Sequence, residues 1–267
     1  MFNLQNLNLS VGKRCLLSEL NLQIADNNFT AIMGENGCGK STLVAAISGL
    51  YSQYSGELSF CGKAIDAYSE EELARRRALV NQFNQVNFAY HVEDVLYMSR
   101  YLHSETRHDS VALIELLCQW FDIAHLLGQN IQHLSGGERQ RVFITKAVLQ
   151  LISSISELSQ PDCFKNKVLI LDEPTSALDI RHQRAVLQRI QKLKRQGLTV
   201  ICVSHDINLI SRFADQFILL GNSPLGGGSL IKHGDKSDVL TAENIEKAFG
   251  YRPQIIYDST GHPLISH

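Results

Sequence analysis

Apolar residues along this chain gather in short, unbroken runs, with helix-spaced patterns between them. Phe29-Thr30-Ala31-Ile32-Met33, Val168-Leu169-Ile170-Leu171, Thr199 to Val203 and Phe217 to Leu220 are such runs. A continuous apolar run suits a strand covered on both faces, as in a parallel sheet. A helix-like run follows the first, from Thr42 to Ser48. Residues 182–196 place Val186, Ile190 and Leu193 at i, i+4 and i+7, with Gly197 as terminator. Residues 241–249 read as a last amphipathic helix, with Thr241 as N-cap and Asn244 in its first turn.

Two regions break this alternation. Residues 2–24, interrupted by Gly12 and Lys13, read as two strands and a turn, and 57–65 as a hairpin about Gly62. They predict an antiparallel layer beside the strand at 29–33. From about 90 to 150 the pattern is helical: Val111, Ile114, Leu116 and Leu117 recur on a helix, and Trp120 and Phe121 extend the apolar face. Residues 151–166 are serine-rich and end in a loop, and Gly226-Gly227-Gly228 marks a turn. The expected architecture is α/β: a doubly wound core, an antiparallel β layer and an inserted helical segment.

Composition narrows the picture. The 267 residues are 44% hydrophobic, enough for one large α/β domain. A net charge of −2 does not suggest a nucleic-acid binder, and Arg75, Arg76 and Arg77 read as one solvated helix face. No apolar run approaches the roughly 18–20 residues that cross a bilayer, and the start lacks a secretory pattern, so a cytosolic location is expected. The six cysteines show no C-x-x-C pair and the ten histidines no ligand spacing, which argues against a disulfide framework or a zinc site.

The candidate chemistry begins at Gly34-Glu35-Asn36-Gly37-Cys38-Gly39-Lys40-Ser41, which fits G-x-x-x-x-G-K-[ST] at every fixed position. A strand before and a helix from Thr42 after give the context the motif needs. Glycines let backbone amides curl round phosphate oxygens, and the helix turns its positive end to the same anion. Lys40 would reach the β- and γ-phosphates of a nucleoside triphosphate, and Ser41 would ligate Mg²⁺. Asp172-Glu173 ends the run 168–171: Asp172 would hold Mg²⁺ through water, and Glu173 would polarise the attacking water. Ser135-Gly136-Gly137 opens a helix as a second anion-binding turn. Cys38, two residues from Lys40 and at a helix mouth, is expected to be a reactive thiol, with a buried inert thiol as the competing reading.

In their order these motifs resemble the nucleotide-binding subunits of ABC transporters along nearly the whole chain. Gly34–Ser41 resembles Walker A, Leu134–Gln140 the family signature, and Val168–Glu173 Walker B. Gln82 falls at the Q-loop glutamine, Ser176–Asp179 at the D-loop, and His205 at the switch histidine. The resemblance implies a P-loop ATPase with ATP and Mg²⁺ as ligands. Glu173, His205 and Gln82 would be catalytic, and Ser41, Gln82 and Asp172 would face the metal. Ser135, Gly136, Gly137 and Asp179 would close on the nucleotide of a second copy. It implies a homodimer on a membrane permease dimer, at the cytoplasmic face of the inner membrane. The implied layout is a core with its β layer at 1–84 and 160–225, a helical subdomain at 85–159, and a C-terminal hairpin and helix at 226–267. Val11 departs from the family, which often stacks an aromatic on adenine there, so base packing is expected to be weaker.

Ala74–Ala78 before Gln82, and Leu240–Glu243 before Ala248-Phe249-Gly250, resemble importers of iron chelates and cobalamin. The stretch at 150–166 and the run from Asp172 to Gln183 resemble the haem importers among them, whose periplasmic haem-binding protein would be an indirect partner. A ferric siderophore or cobalamin is the alternative cargo. The segment Phe83–Met98, with Phe83, Phe88, Tyr90 and Tyr97, would receive a helix of the permease. Ribosome- or DNA-associated relatives carry two cassettes or long insertions, which this chain lacks. An exporter cassette is disfavoured by the importer-like features.

Overall fold

The computed structural model describes residues 1–12, 14–82, 88–223, 226–259 and 261–266. In chain order, the first part gives β1 (Phe2–Val11), β2 (Arg14–Ile24), β3 (Phe29–Met33), α1 (Lys40–Ile47), β4 (Tyr54–Phe60) and β5 (Lys63–Ala64). The middle gives α2 (Glu70–Arg76), β6 (Arg77–Val80), α3 (Val92–Tyr97), α4 (Arg107–Trp120), α5 (Gly136–Leu151), α6 (Ile155–Leu158), β7 (Val168–Asp172) and α7 (Ile180–Lys194). The last part gives β8 (Thr199–Val203), α8 (Ile207–Ile210), β9 (Gln216–Asn222), β10 (Gly228–Asp235), α9 (Lys236–Val239), α10 (Ala242–Phe249), β11 (Gln254–Tyr257) and β12 (Pro263–Ser266). Contacts divide the chain into two units: 1–69 with 200–267, and 70–199.

In the first unit the strand order is β5-β4-β1-β2-β10-β9-β3-β8. The β1/β2, β1/β4 and β9/β10 pairs are antiparallel, whereas β3 lies parallel to both β9 and β8. Every residue of β3 and β8 is buried, which is why those runs show no polar alternation. β1 alternates instead, but its apolar positions are Phe2, Leu4, Leu7 and Leu9, a change of phase between Leu4 and Leu7. The strand absorbs it in a bulge at Asn6 (φ 46°), so that all four side chains still reach the core. Asn21 Oδ1 takes the Asn6 amide at 3.0 Å, and Asn8 Oδ1 takes that of Glu19 at 3.0 Å. The asparagines thus serve backbone donors that the bulge removes from the ladder.

In the second unit β6 and β7 run parallel, pairing Val80 with Leu171. The face of α4 differs from the sequence expectation. Leu113, Ile114, Leu117 and Cys118 are buried, but Val111 and Leu116 are exposed. The apolar positions cover more of the helix than its one packed face, and spacing alone did not choose among them. The three arginines also do not share a helix face: α2 ends at Arg76, and Arg77 begins β6. Within the serine-rich stretch, Ser154 caps the short α6 by accepting the Glu157 amide at 3.3 Å. Among the described residues, no helix is long and apolar enough to cross a membrane.

Candidate active site

The phosphate-loop candidate connects β3 to α1. Its local shape is fixed by close approach: a Cβ on Gly34 (φ 149°) would lie 2.8 Å from Cys38 Sγ and closer still to the Leu220 carbonyl of β9. Gly39, in the left-handed region at φ 95°, caps α1. Lys40 is buried, and its Nζ donates to the Gly34 and Glu35 carbonyls at 2.8 Å each. Those bonds take two of the ammonium's three donors and hold it over the loop. Asn36, Gly37 and Ser41 are exposed and Thr42 is half-buried, so the loop crest is open while its base is packed. A Cβ at Gly37 would meet nothing within 4 Å. A glycine-lined loop with its lysine over the crest and a helix N-terminus behind it fits a triphosphate.

Cys38 corrects the reactive-thiol expectation. Its side chain is fully buried, and burial pushes the thiol up, against the pull of the Lys40 charge. Position within the motif suggested exposure to the phosphate side; the side chain instead turns into the base of the loop, toward Gly34.

Register brings the next two candidates together. Val80 pairs with Leu171 at the ends of β6 and β7, so Gln82 and Glu173 project from equivalent positions two residues later. Gln82 Nε2 donates to Glu173 Oε2 at 2.8 Å. Glu173 lies in the left-handed region at φ 50°, an uncommon place for a non-glycine residue, and its carbonyl accepts from Ser176 Oγ at 3.0 Å. Asp172, the last residue of β7, is half-buried.

The signature turn and the D-loop line one cavity of about 390 Å³, bounded by Ser135, Gly136, Gly137, Ala177, Asp179 and His182, among others. A Cβ on Gly137 would stand 3.0 Å from the Ala177 carbonyl, so this glycine permits the approach. Each loop ends in a capped helix. Asp179 accepts the His182 amide at 2.9 Å and faces His182 Nδ1 at 2.7 Å, at the start of α7. Ser135 caps α5, and Glu138 answers it: its Oε2 accepts from the Ser135 amide at 2.9 Å and from Ser135 Oγ at 2.7 Å. This capping box was legible as Ser-x-x-Glu, and the motif reading passed over it. The Ser135 hydrogen bonds, with help from Arg141 and His125, hold the Glu138 carboxyl below the usual carboxylate range. The turn therefore already holds a carboxylate, supplied by its own helix.

His205 follows β8 and is exposed. With Glu35, Asn36 and Phe249 it borders a cleft of about 440 Å³. Asn222, at the end of β9, donates to Glu35 Oε2 at 2.9 Å. Asn222 and Phe249 were not singled out as site residues; only the similarity of Ala248-Phe249-Gly250 to one importer group pointed near them. Val11, which the resemblance put at the adenine-stacking position, is exposed. Phe88, Tyr90, Tyr97 and Met98 are exposed too, so these aromatics are not core; Phe83 lies outside the described residues.

Among the described residues no group of three His, Cys, Asp or Glu side chains forms a metal cage. Asp172 and Glu173 offer hard carboxylate oxygens, of the donor type that suits Mg²⁺.

A lysine-bearing glycine loop between a buried parallel strand and a helix, and a carboxylate pair at the end of another such strand, define a P-loop nucleoside triphosphatase of the α/β class. The ABC transporter family pattern matches residues 17–176, and a shorter match, to the family described as "AAA domain, putative AbiEii toxin, Type IV TA system", covers 145–211. The hemin import ATP-binding protein HmuV of Plesiomonas shigelloides is 34% identical over 268 residues, covering 98% of this chain and 100% of that protein. HmuV of Pseudomonas aeruginosa is 34% identical over 266 residues, 99% of each. Among solved structures, a metal-chelate type ABC transporter in an inward-facing conformation superposes with a TM-score of 0.75 at 25% identity, over 100% of this chain and 97% of that one. The chain belongs to the ABC transporter family, as an ATP-binding subunit that hydrolyses ATP.

Proposed function

We propose that this ATPase powers haem import across the bacterial inner membrane, bound as a homodimer to the cytoplasmic face of a permease dimer. The observation that carries the cargo reading is full-length similarity to hemin import ATP-binding proteins. The layout that goes with it is a core and β layer at 1–84 and 160–225, a helical subdomain at 85–159 and a C-terminal hairpin and helix at 226–267. The exposed Phe88, Tyr90, Tyr97 and Met98 supply a surface suited to a permease helix.

In this reading the loop from Gly34 to Thr42 binds the phosphates of ATP, and Lys40 places its charge on the β- and γ-phosphates. Ser41, Gln82 and Asp172 would hold Mg²⁺, which would supply positive charge beside the phosphate oxygens. Glu173, oriented by the Gln82 amide, accepts a proton from the attacking water. His205 donates to the γ-phosphate. Ser135 and the Gly136 and Gly137 amides take a γ-phosphate oxygen of a second copy's nucleotide, exchanging the Glu138 carboxylate for it. Asp179 lies at the same junction. Exposed Val11 offers adenine a smaller platform than an aromatic ring does.

The test is uptake of haem iron, ferric siderophore and cobalamin in cells carrying the wild type or Glu173→Gln as the sole copy. Loss of haem uptake alone supports the proposal. Intact haem uptake with loss of a chelate replaces the cargo, the outcome favoured by the metal-chelate structural relative.

A further inference from the structure

Residues 242–259 and 261–266 make contacts that the hydrolytic reading leaves unused. From them we infer that this C-terminal segment is a positioning clasp for His205, setting the rate of ATP hydrolysis through that histidine. The inference rests on His205 being the residue that meets the γ-phosphate.

The clasp acts at two places. The first is α10, whose last residue, Phe249, shares the cleft with His205, Glu35 and Asn36. Gly250 stops the helix there in the left-handed region at φ 71°. The half-buried ring borders the same cleft as the histidine and the phosphate-loop residues Glu35 and Asn36.

The second is the β11–β12 hairpin. Three residues after His205, Asn208 exchanges two hydrogen bonds with the backbone of one strand residue. Its Nδ2 donates to the Ile265 carbonyl at 3.1 Å, and its Oδ1 accepts the Ile265 amide at 2.7 Å. A side-chain amide thus replaces a missing strand neighbour, and it does so from α8, the single turn that follows the histidine. Ile265 is itself buried. Arg212, just beyond α8, pairs with Asp258 at 2.9 Å, and Asp258 Oδ1 accepts the His262 amide at 3.0 Å. His262 in turn meets Lys236 of α9, Nδ1 to Nζ at 3.0 Å.

A four-residue helix has little stability of its own, because nucleation is costly and few bonds repay it. The position of α8, and of the histidine leading into it, is therefore set by what α8 is tied to. Burial of Ile207 and Ile210 and the Asp206 cap supply part of that hold. The hairpin adds the Asn208 and Arg212 ties, and Phe249 narrows the cleft that the imidazole borders. Phosphoryl transfer depends on positioning, so loosening either tie lowers turnover more than it weakens ATP binding.

The experiment is a double-mutant cycle on the full chain, reading kcat and KM for Mg-ATP in wild type, Asn208→Ala, His205→Ala and the pair. Asn208 is an exposed residue, so its replacement leaves no cavity. Asn208→Ala is expected to lower kcat ~10-fold with KM changed by less than about 3-fold, and to add nothing once His205 is alanine. Asn208→Asp, which keeps the acceptor for the Ile265 amide, recovers part of the loss. Phe249→Leu provides a second variant with the same expected dependence on His205. Equal losses from Asn208→Ala in both backgrounds, or no loss at all, overturn the clasp. If His205→Ala alone leaves hydrolysis intact, the histidine's role falls and the clasp falls with it.

Discussion

Cys38 and Lys40 lie two residues apart in one loop, yet the fold uses them in opposite ways. The lysine amine is lifted over the crest by two backbone carbonyls, while the thiol is turned into the base beside Gly34. Burial raises the Cys38 pKa despite the nearby Lys40 charge, so the reactive thiolate is scarcer at neutral pH than for an ordinary cysteine. N-ethylmaleimide at pH 7.5 should therefore label exposed Cys15 and leave Cys38 unmodified in the native protein, read by peptide mass spectrometry. Labelling of Cys38 that ATP blocks would restore the reactive reading. The motif was fully legible in the sequence, but the direction of one side chain within it was not. That direction depends on how β9 backs the loop, a contact nearly two hundred positions away in sequence.

At the scale of elements, one buried ion pair ties two parts of the second unit together. Arg100 donates to Glu105 through Nε and Nη2 at 2.8 and 2.7 Å, and through Nη1 to the Ile152 carbonyl at 2.6 Å and the Leu149 carbonyl. The guanidinium thus closes the C-terminal end of α5, the helix whose N-terminus is the signature turn. The Arg100 and Glu105 side chains are 1% and 9% exposed, so removing one partner strands the other away from water. Arg100→Met should cost about 3–5 kcal/mol in urea unfolding at pH 7. Burial by itself opposes the charge on Glu105, but hydrogen bonds from Arg100 and Ser110 outweigh it and hold the carboxyl below its usual range. A depressed carboxylate contributes stability above its unfolded value, about 4.3, and loses it as pH falls through the folded value. The gap between wild type and Arg100→Met should accordingly narrow below about pH 4; a gap independent of pH would contradict this account of the pair. None of this was visible in the sequence, because an arginine between Met98-Ser99 and Tyr101-Leu102 gives no sign of which carboxylate and carbonyls it will bind. The buried strands were visible, since β3, β7 and β8 are almost unbroken apolar runs, with only Thr30, Asp172 and Thr199 as polar members, as suits strands covered on both faces. The packed face of α4 was only half visible, because its apolar positions outnumber those that one face can hide.

For the whole molecule, the proposed function requires that the phosphate loop of one copy and the signature turn of a second close on the same nucleotide. The phosphate loop with His205 and the signature turn with Asp179 were each legible as motifs, and the family resemblance supplied their joint use. Glu138 was the unseen part, an internal anion that already occupies the Ser135 turn. The most direct test is the mass in solution of Glu173→Gln by light scattering, with and without Mg-ATP. One chain mass is expected without nucleotide and twice that mass with it, the gain being lost in the pair Glu173→Gln with Ser135→Arg. A single chain mass at saturating Mg-ATP, with binding confirmed, would contradict it.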